Sequence, residues 1–153
     1  MIPVLTQMLK DFDNALSVVD TVWAWAAVTP KPKQSTTFGG GHAFTSVTVR
    51  DYVKTLRTDL KTDFRREAAR KVVDYAQIRI TVIFAFPFRK NDEYEDWLLM
   101  NVRPDVDNLL KPLLDVLADI GDFQDSRVVE VKARKIRFQL PVIALKFDSV
   151  VKK

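Results

Sequence analysis

The sequence predicts an α+β fold, a mixed β-sheet with helices packed on one side. Two kinds of pattern support this prediction: apolar residues recur every three or four positions in three segments, and in four others they alternate with polar residues or form short runs. The order along the chain is helix, strand, helix, strand, helix, strand, strand. The chain has 153 residues, 47% of them hydrophobic, so it can bury a core of its own, and we expect a single domain over residues 1–153.

Composition limits the chemistry that such a domain can perform. The sequence has no Cys and one His, which excludes disulfides, thiolate metal sites and multi-histidine zinc sites. Any metal must therefore be bound by oxygen. The net charge of +4 fits an anionic partner and equally fits a charge that only maintains solubility.

The expected location follows from the apolar segments. The stretch 15–28 contains Asp20 and is shorter than the about 20 residues that a membrane span needs. No basic start followed by an apolar run and a small-residue cleavage site is present. We therefore expect a cytoplasmic protein with no membrane contact.

The first element is a predicted amphipathic helix over residues 3–19. We count residues 1–20 as an N-terminal helix that is added to the domain. Pro3 can begin a helix without losing a hydrogen bond. The apolar residues are spaced by 4, 3, 4 and 3 positions: Leu5, Leu9, Phe12, Leu16 and Val19. They pack either into the core or against a partner subunit.

A strand and a long polar segment follow. The apolar run Val22–Val28 predicts a buried strand. Residues 31–46 contain three consecutive glycines and are as long as a loop usually is without a function. Lys31 and Lys33 at its start are candidate contacts to a nucleic-acid backbone, and an ordinary hairpin is the alternative interpretation.

The central elements have the clearest periodicity. Apolar residues at spacings of three and four predict a long helix over about residues 49–74, with Thr48 as its N-cap. Alternation over residues 78–86 predicts a strand with one buried face. Residues 89–101 combine an acidic run with an apolar patch and receive no assignment.

The C-terminal third contains one helix and two strands. A leucine stripe over residues 109–117 predicts a helix that ends at Gly121. Residues 128–138 are extended, but the apolar positions change parity, which predicts a bulge or bend near Arg134. Residues 140–147 form the last strand.

The strongest functional signal precedes the third helix. Asp105 and Asp107 follow Pro104, which favours an extended entry, and on an extended segment two such carboxylates share a face. Mg²⁺ prefers a few carboxylate oxygens and leaves room for a phosphate. Asp125 is a third candidate ligand if the intervening helix folds back beside the next strand. Lys111, about one turn after Asp107, would stabilise charge on an attacked phosphodiester, so the predicted chemistry is metal-assisted hydrolysis.

The same residues allow other interpretations. An Asp-x-Asp-Asn segment before an apolar helix is often a helix cap. Asp-x-Asp is also a metal site in sugar-nucleotide transferases. Pro112 removes a donor from the first helical turns, so either the regular helix begins near Lys111 or its first turn is distorted.

Several segments agree in residue type and order with one known family. They are RPDVDNLLK (103–111), LLD (113–115) and DSRVV (125–129), with a weaker match at PKPK (30–33). In these segments the chain resembles the RusA family of Holliday-junction resolvases, over about residues 22–145. It departs from the family at Gln124, where a second acidic residue is common, and in the acidic segment 92–100.

The resemblance implies an α+β homodimer that binds four-way DNA junctions and resolves them by paired symmetric nicks, in DNA recombination and repair. It assigns Mg²⁺, with Mn²⁺ as a substitute, to Asp105, Asp107 and Asp125, and it makes Lys111 necessary for cleavage. A catalytically inactive module that binds branched DNA is the alternative. Charge and strand parity give the candidate DNA contacts: Lys31, Lys33, Lys132 and Arg134.

Overall fold

A five-stranded mixed β-sheet and two α-helices longer than 15 residues form most of the part of the chain that is described. The computed structural model describes residues 4, 7–8, 15–33, 37–39, 42–44, 47–64, 77–90, 92 and 98–153. In chain order the elements are β1 (Leu16–Ala26), β2 (Thr37–Gly39), β3 (His42–Phe44), α1 (Val47–Phe64), β4 (Ile78–Pro87), β5 (Leu98–Leu99), α2 (Val106–Gly121), a 3₁₀ turn (Asp125–Arg127), β6 (Val128–Phe138) and β7 (Val142–Lys152).

Strand direction determines which segments meet at each edge of the sheet. The strand order is β1-β7-β4-β6-β5, and β2 and β3 form a separate hairpin. β7 is antiparallel to β1 and β4, whereas β6 is parallel to β4. β1, β4 and β6 therefore run in one direction, and we call the edge where they end, at Ala26, Pro87 and Phe138, the exit edge. β6 begins at the opposite edge, the entry edge, where Val128 pairs with Ile78.

The core lies between the sheet and the helices. In β4 every second residue from Ile78 to Phe86 is buried, as the alternation predicts. These side chains form one cluster with residues of α1 and α2, namely Leu56, Leu60, Leu109, Leu113, Val116 and Leu117. The predicted α+β fold, a mixed sheet with helices packed on one side, is confirmed.

The prediction for the N-terminal helix is wrong at its C-terminal end. Residues 16–19 belong to β1, and residues 16–18 pair with residues 150–152 of β7. Residues 4, 7 and 8 are helical, and the rest of the predicted helix lies outside the described residues. The helical spacing is local, whereas the strand is stabilised by hydrogen bonds to a segment at the far end of the chain, which no local pattern reveals.

The bulge predicted near Arg134 is also wrong. The register between β4 and β6 is regular from Glu130 to Phe138, and its one shift falls between Ile78 and Arg79. Alternation along β6 therefore places Lys135 and Arg137 on the face that packs against the helices, where the sequence would lead one to expect apolar residues. The apolar positions of β6 change parity because two cations occupy the face that packs against the helices, which we call the inner face, and not because the strand bends.

The remaining elements are of the predicted type, but three details differ. α1 begins at Val47, so Thr48 lies inside the helix and is not its N-cap. Trp23 and Trp25 of β1 are exposed, so this strand buries one face only, and the last strand covers Val142–Lys152 instead of 140–147.

α1 covers the first part of the helix predicted over 49–74, and residues 65–76 lie outside the description. The segment 31–46 contains the β2–β3 hairpin, and β5 is the strand in the unassigned segment 89–101. In the described ranges, no helix is both long and apolar enough to cross a bilayer.

Candidate active site

Asp105 and Asp107 lie at the N-terminal end of α2. Asp105 is the N-cap residue, with an extended backbone (φ −73°, ψ 147°), and its carboxylate makes no capping hydrogen bond. Asp107 lies in the first helical turn, so only Asp105 has the extended conformation expected of both. Both residues are exposed. The position is thus that of a helix cap, but the oxygens of Asp105 remain available for a ligand.

The missing N–H of Pro112 allows α2 to form a hydrogen bond with the segment that follows β1. The helix begins at Val106, earlier than the start near Lys111 that the proline suggested, and Pro112 lies inside it. Proline has no N–H, so it cannot donate to the carbonyl of Asn108 four residues earlier. The N–H of Lys33 donates to that carbonyl instead, at 2.8 Å. This hydrogen bond fixes the PKPK segment against the first turns of α2.

A cavity of about 410 Å³ lies between the PKPK segment and the N-terminal end of α2. This volume falls in the range of ligand pockets, roughly 300–1,000 Å³. Four of its eight lining residues are apolar, namely Pro30, Pro32, Phe86 and Pro104. The other four are polar, namely Lys33, Arg103, Asp105 and Asn108. The structure thus brings a predicted DNA contact, Lys33, to the same cavity as a predicted metal ligand, Asp105.

The loop between β5 and α2 is attached to β6 by Lys135. Its Nζ donates to the carbonyl oxygen of Val102 at 2.7 Å and to that of Pro104 at 2.8 Å. The N–H of Met100 donates to the carbonyl oxygen of Lys135 at 3.1 Å. Lys135 was not among the residues predicted from the sequence, and the change of parity in β6 is the sequence feature that indicates it.

Arg137 makes a similar attachment two residues further along β6. Its Nη1 donates to the carbonyl oxygen of Pro87 at 3.0 Å, and its Nε lies 3.5 Å from Oδ2 of Asp92. The same carboxylate oxygen accepts a hydrogen bond from the N–H of Arg89 at 2.6 Å. Asp92, which the sequence placed in an acidic insert, thus helps to fold the chain after β4.

Lys111 is exposed and lies one turn after Asp107 on α2, as the spacing predicts. Residues four apart on a helix are neighbours on its surface. Within the described residues the Lys111 ammonium has no ion pair, so the arrangement leaves it able to contact an anion beside Asp107.

Asp125 lies near the other end of α2. It begins the 3₁₀ turn that leads into β6 at the entry edge. α2 has 16 residues and is therefore about 24 Å long, so it separates Asp125 from Asp105 and Asp107 within one subunit. The helix folds back beside β6, as the prediction requires. Asp105, however, lines a cavity with Phe86 near the exit edge, whereas β6 begins at the entry edge. Among the described residues, no group of three or more His, Cys, Asp or Glu side chains is placed to hold a metal ion.

Lys31 lies at a second cavity, beside the N-terminal end of α1. This cavity has a volume of about 390 Å³ and also contacts Thr48, Asp51 and Tyr52. Burial raises the pKa of Tyr52 to about 12, and the nearby backbone of Lys31 offsets part of that increase. The Tyr52 hydroxyl nevertheless makes no hydrogen bond in the described part of the chain. The backbone of Lys31 therefore lies near the hydroxyl without reaching hydrogen-bond geometry.

Lys132 and Arg134 lie on the face of the sheet that the helices do not cover, which we call the open face. Both residues are exposed, and Nζ of Lys132 lies 3.6 Å from Oε1 of Glu130. The register aligns Lys132 with Thr81 and Thr81 with Lys146, whose Nζ lies 5.6 Å from the ring centre of Trp23. These two candidate DNA contacts therefore occupy a different surface from Lys33 and Asp105.

Comparisons with known proteins identify the family. The sequence profile described as "Endodeoxyribonuclease RusA" matches residues 26–146. The chain belongs to the RusA family. RusA proteins are endonucleases that resolve Holliday junctions, which are branched DNA, and they generally depend on a divalent metal. The match also confirms the resemblance and its extent, which the sequence placed at about residues 22–145.

The other comparisons add little to the RusA assignment. No curated protein matches the sequence. 2C-methyl-D-erythritol 2,4-cyclodiphosphate synthase from Plasmodium vivax aligns over 91% of this chain and 98% of its own, with 13% identity and a TM-score of 0.36. IspF from Plasmodium falciparum, in a CDP complex, aligns over 92% and 98%, with 12% identity and a TM-score of 0.33. At these TM-scores the likeness carries no argument about fold or function.

The residues at the N-terminal end of α2 fit the divalent metal of a RusA nuclease. Asp105 and Asp107 offer hard carboxylate oxygens on exposed residues, and their side chains make no hydrogen bond or ion pair to other described residues. Mg²⁺ is commonly held by one or two carboxylates, several waters and the phosphates of the substrate. The two aspartates at this end of the helix match that number of protein ligands, whereas Asp125 of the same subunit is too distant to join them.

Proposed function

We propose that this RusA protein is a Mg²⁺-dependent Holliday-junction resolvase that makes paired symmetric nicks as a homodimer, in DNA recombination and repair. The observation that carries the proposal is the cavity shared by Lys33 and Asp105. It joins a cation suited to a DNA phosphate with a carboxylate suited to a metal, from segments far apart in the sequence. Family membership supplies the junction as substrate.

Each side chain at this end of α2 has a distinct role in the proposal. Asp105 and Asp107 bind the metal, which when bound supplies Lewis-acid stabilisation of the phosphoryl group and an activated water. Mn²⁺ accepts the same oxygen donors and is the expected substitute. Lys111 neutralises charge that develops on the phosphoryl oxygens. Lys33 and Arg103, which line the cavity with Asp105, bind phosphates of the same strand.

The position of Asp125 supports a dimeric centre. If Asp125 acts together with Asp105 and Asp107, a second copy must supply it, because α2 separates these residues by about 24 Å in one subunit. A symmetric pair of subunits would then form two equivalent centres. Two centres are also what two symmetric cuts require.

The first test separates the enzyme from an inactive module that binds branched DNA. Asp107→Asn keeps the shape of the side chain and removes its charge, so we expect cleavage of a labelled four-way junction with Mg²⁺ to fall by roughly 10²–10³-fold while junction binding persists. Asp115→Asn, an equally exposed change on the same helix, is the matched control and should cleave normally. An active Asp107→Asn would remove this residue from the site. Wild-type protein that binds junctions and never nicks them would establish the inactive module.

The second test asks whether Asp125 acts across the dimer. Asp107→Asn and Asp125→Asn subunits are inactive alone in the proposal, but a mixed dimer has one centre with both changes and one centre with none. We expect mixing to restore single nicks without full resolution. Mixtures as inactive as the parents would show that each centre uses residues of one subunit only.

A further inference from the structure

We propose that Lys135 is a positioning residue of the RusA nuclease site, which holds the loop before α2 so that Arg103 and Asp105 face the cavity. The inference rests on the proposed function of Asp105. Its basis is one ammonium group that donates to two carbonyls on either side of Arg103, those of Val102 at 2.7 Å and Pro104 at 2.8 Å.

The position of Lys135 on β6 is unusual for a cation. It pairs with Phe84 of β4 and, by alternation, shares the helix-facing side of β6 with Val131 and Ala133. Placing an ammonium on this side of a sheet is unfavourable unless the charge is well hydrogen-bonded. Two charge-assisted hydrogen bonds shorter than 3 Å provide that compensation. An apolar residue would suit the packing, so the cation is explained by the loop that it holds.

The two hydrogen bonds constrain the geometry of the site through the backbone. The carbonyl of Pro104 and the N–H of Asp105 belong to one planar peptide unit, so fixing the carbonyl fixes the direction in which the chain enters Asp105. The carbonyl of Val102 is likewise in one plane with the N–H of Arg103. Lys135 thus orients both residues that contribute opposite charges to the cavity, and the Met100 N–H, which donates to the Lys135 carbonyl, anchors the start of the same loop.

The charge of Lys135 is not shared with the proposed metal ligands. Among the described residues its ammonium bonds to backbone carbonyls and forms no ion pair with a carboxylate. An ammonium has three donors, and two of them are used here. Lys135 can therefore hold the loop without reducing the negative charge of Asp105 and Asp107.

The test compares variants in which the stem of the side chain is kept and the donors are changed. In Lys135→Met the donors are absent, and a misplaced Asp105 should lower the rate of cleavage of bound junction about 100-fold. Junction Kd should weaken by less than about fivefold, because the only phosphate contact that is misplaced is Arg103. Lys135→Arg can reach two carbonyls with its fork of N–H groups and should restore the rate to within about fivefold of wild type. Lys152→Met, the loss of an exposed lysine at the end of β7, is the control and should cleave normally.

A second readout is independent of cleavage. Amide hydrogen exchange, measured without DNA or metal, should accelerate about tenfold in Lys135→Met at Met100 and Leu109, whose N–H groups donate to the carbonyls of Lys135 and Asp105. It should remain unchanged in β1, β4 and β7 and return to wild-type rates in Lys135→Arg. If Lys135→Met does not fold, Lys135→Gln, which keeps one neutral donor group, replaces it.

The outcomes separate this proposal from the proposed function. Normal cleavage or normal exchange in the donor-free variant overturns the positioning role, and so does an Arg variant that folds but is no better than Met. A wild-type protein that never cleaves junctions overturns the proposed function instead, and the exchange rates still decide whether Lys135 holds the loop.

Discussion

Strand β6 carries cations on both of its faces, and the two faces use them differently. Lys132 and Arg134 lie on the open face with exposed side chains. Lys135 and Arg137 lie on the face that packs against the helices. Lys135 donates to two carbonyls of the loop after β5, and Arg137 donates to the carbonyl at the end of β4. Cations of one strand thus occupy two environments: those of the open face have exposed side chains, and those of the inner face hold backbone segments around the candidate active site.

The comparison teaches that charge alone does not identify a DNA contact. Arg137 is only 7% exposed, so its guanidinium is committed to protein partners and has little surface to offer a phosphate. Arg134, three residues earlier on the opposite face, is exposed. The two residues are distinguished by the atoms that each charged group contacts.

The largest expected effect is on stability, at Arg137. Arg137→Met removes the donor to the Pro87 carbonyl and leaves Asp92 without its cation, so we expect the free energy of unfolding to fall by about 3 kcal/mol. Arg134→Met, the matched change on the open face, should alter it by less than about 0.5 kcal/mol. Urea denaturation of both variants measures the difference. Equal effects would mean that the two faces are not distinct.

The second prediction concerns DNA binding by the open face. Neutralising both cations, in Lys132→Gln with Arg134→Gln, should weaken junction binding about tenfold at 0.1 M salt and reduce the slope of log Kd against log salt by about 2. The C-terminal pair Lys152→Gln with Lys153→Gln changes the net charge equally and is the control for long-range electrostatics. If both pairs change the slope alike, Lys132 and Arg134 are not phosphate contacts.

The smallest expected effect is at Tyr52, a polar group on the inner side that lacks the partners of Lys135 and Arg137. Its hydroxyl makes no hydrogen bond within the described residues, so Tyr52→Phe should change stability by less than about 1 kcal/mol at pH 7. Burial raises the pKa of the folded tyrosine from 10.0 to about 12, so the wild type should lose stability as the pH rises from about 10 to 12, because the unfolded chain releases its proton first. Tyr52→Phe has no hydroxyl at this position, so it should lack this part of the loss of stability at high pH. Urea denaturation at pH 7 and pH 11 tests both statements, and a large loss at pH 7 would reveal a hidden partner of the hydroxyl.

Much of the fold was predictable because burial imposes a local period. The alternation from Ile78 to Phe86 and the leucine stripe of α2 gave the right elements, since each pattern reflects one face turned to one core. The start of β1 was not predictable in this way. Leu16 and Val19 continue a helical spacing, but Leu16 pairs with Lys152 of the antiparallel C-terminal strand and Val19 lies at a register shift of the same strand pair.

The site was predictable in its residue types but not in its arrangement. Asp105, Asp107 and Lys111 follow one another on a short segment, so their proximity is a local property. The position of Asp125 depends on the parallel pairing of β6 with β4, which places the start of β6 at the entry edge. Lys135 resembled its neighbours Lys132 and Arg134 in sequence, because the hydrogen bonds that distinguish it are made to a loop more than 30 residues earlier, with separations of 33 and 31.

Pro112 limits how the thermostability of this nuclease could be increased by mutation. A proline inside a helix is an obvious candidate for replacement, because it costs about 3 kcal/mol relative to alanine. An alanine there would regain its own bond to the Asn108 carbonyl and would compete with the N–H of Lys33, which uses that carbonyl now. The thermally more robust protein would then hold Lys33 less firmly beside Asp105, so in the proposed function Pro112 is a position where thermal stability and catalytic rate are in opposition.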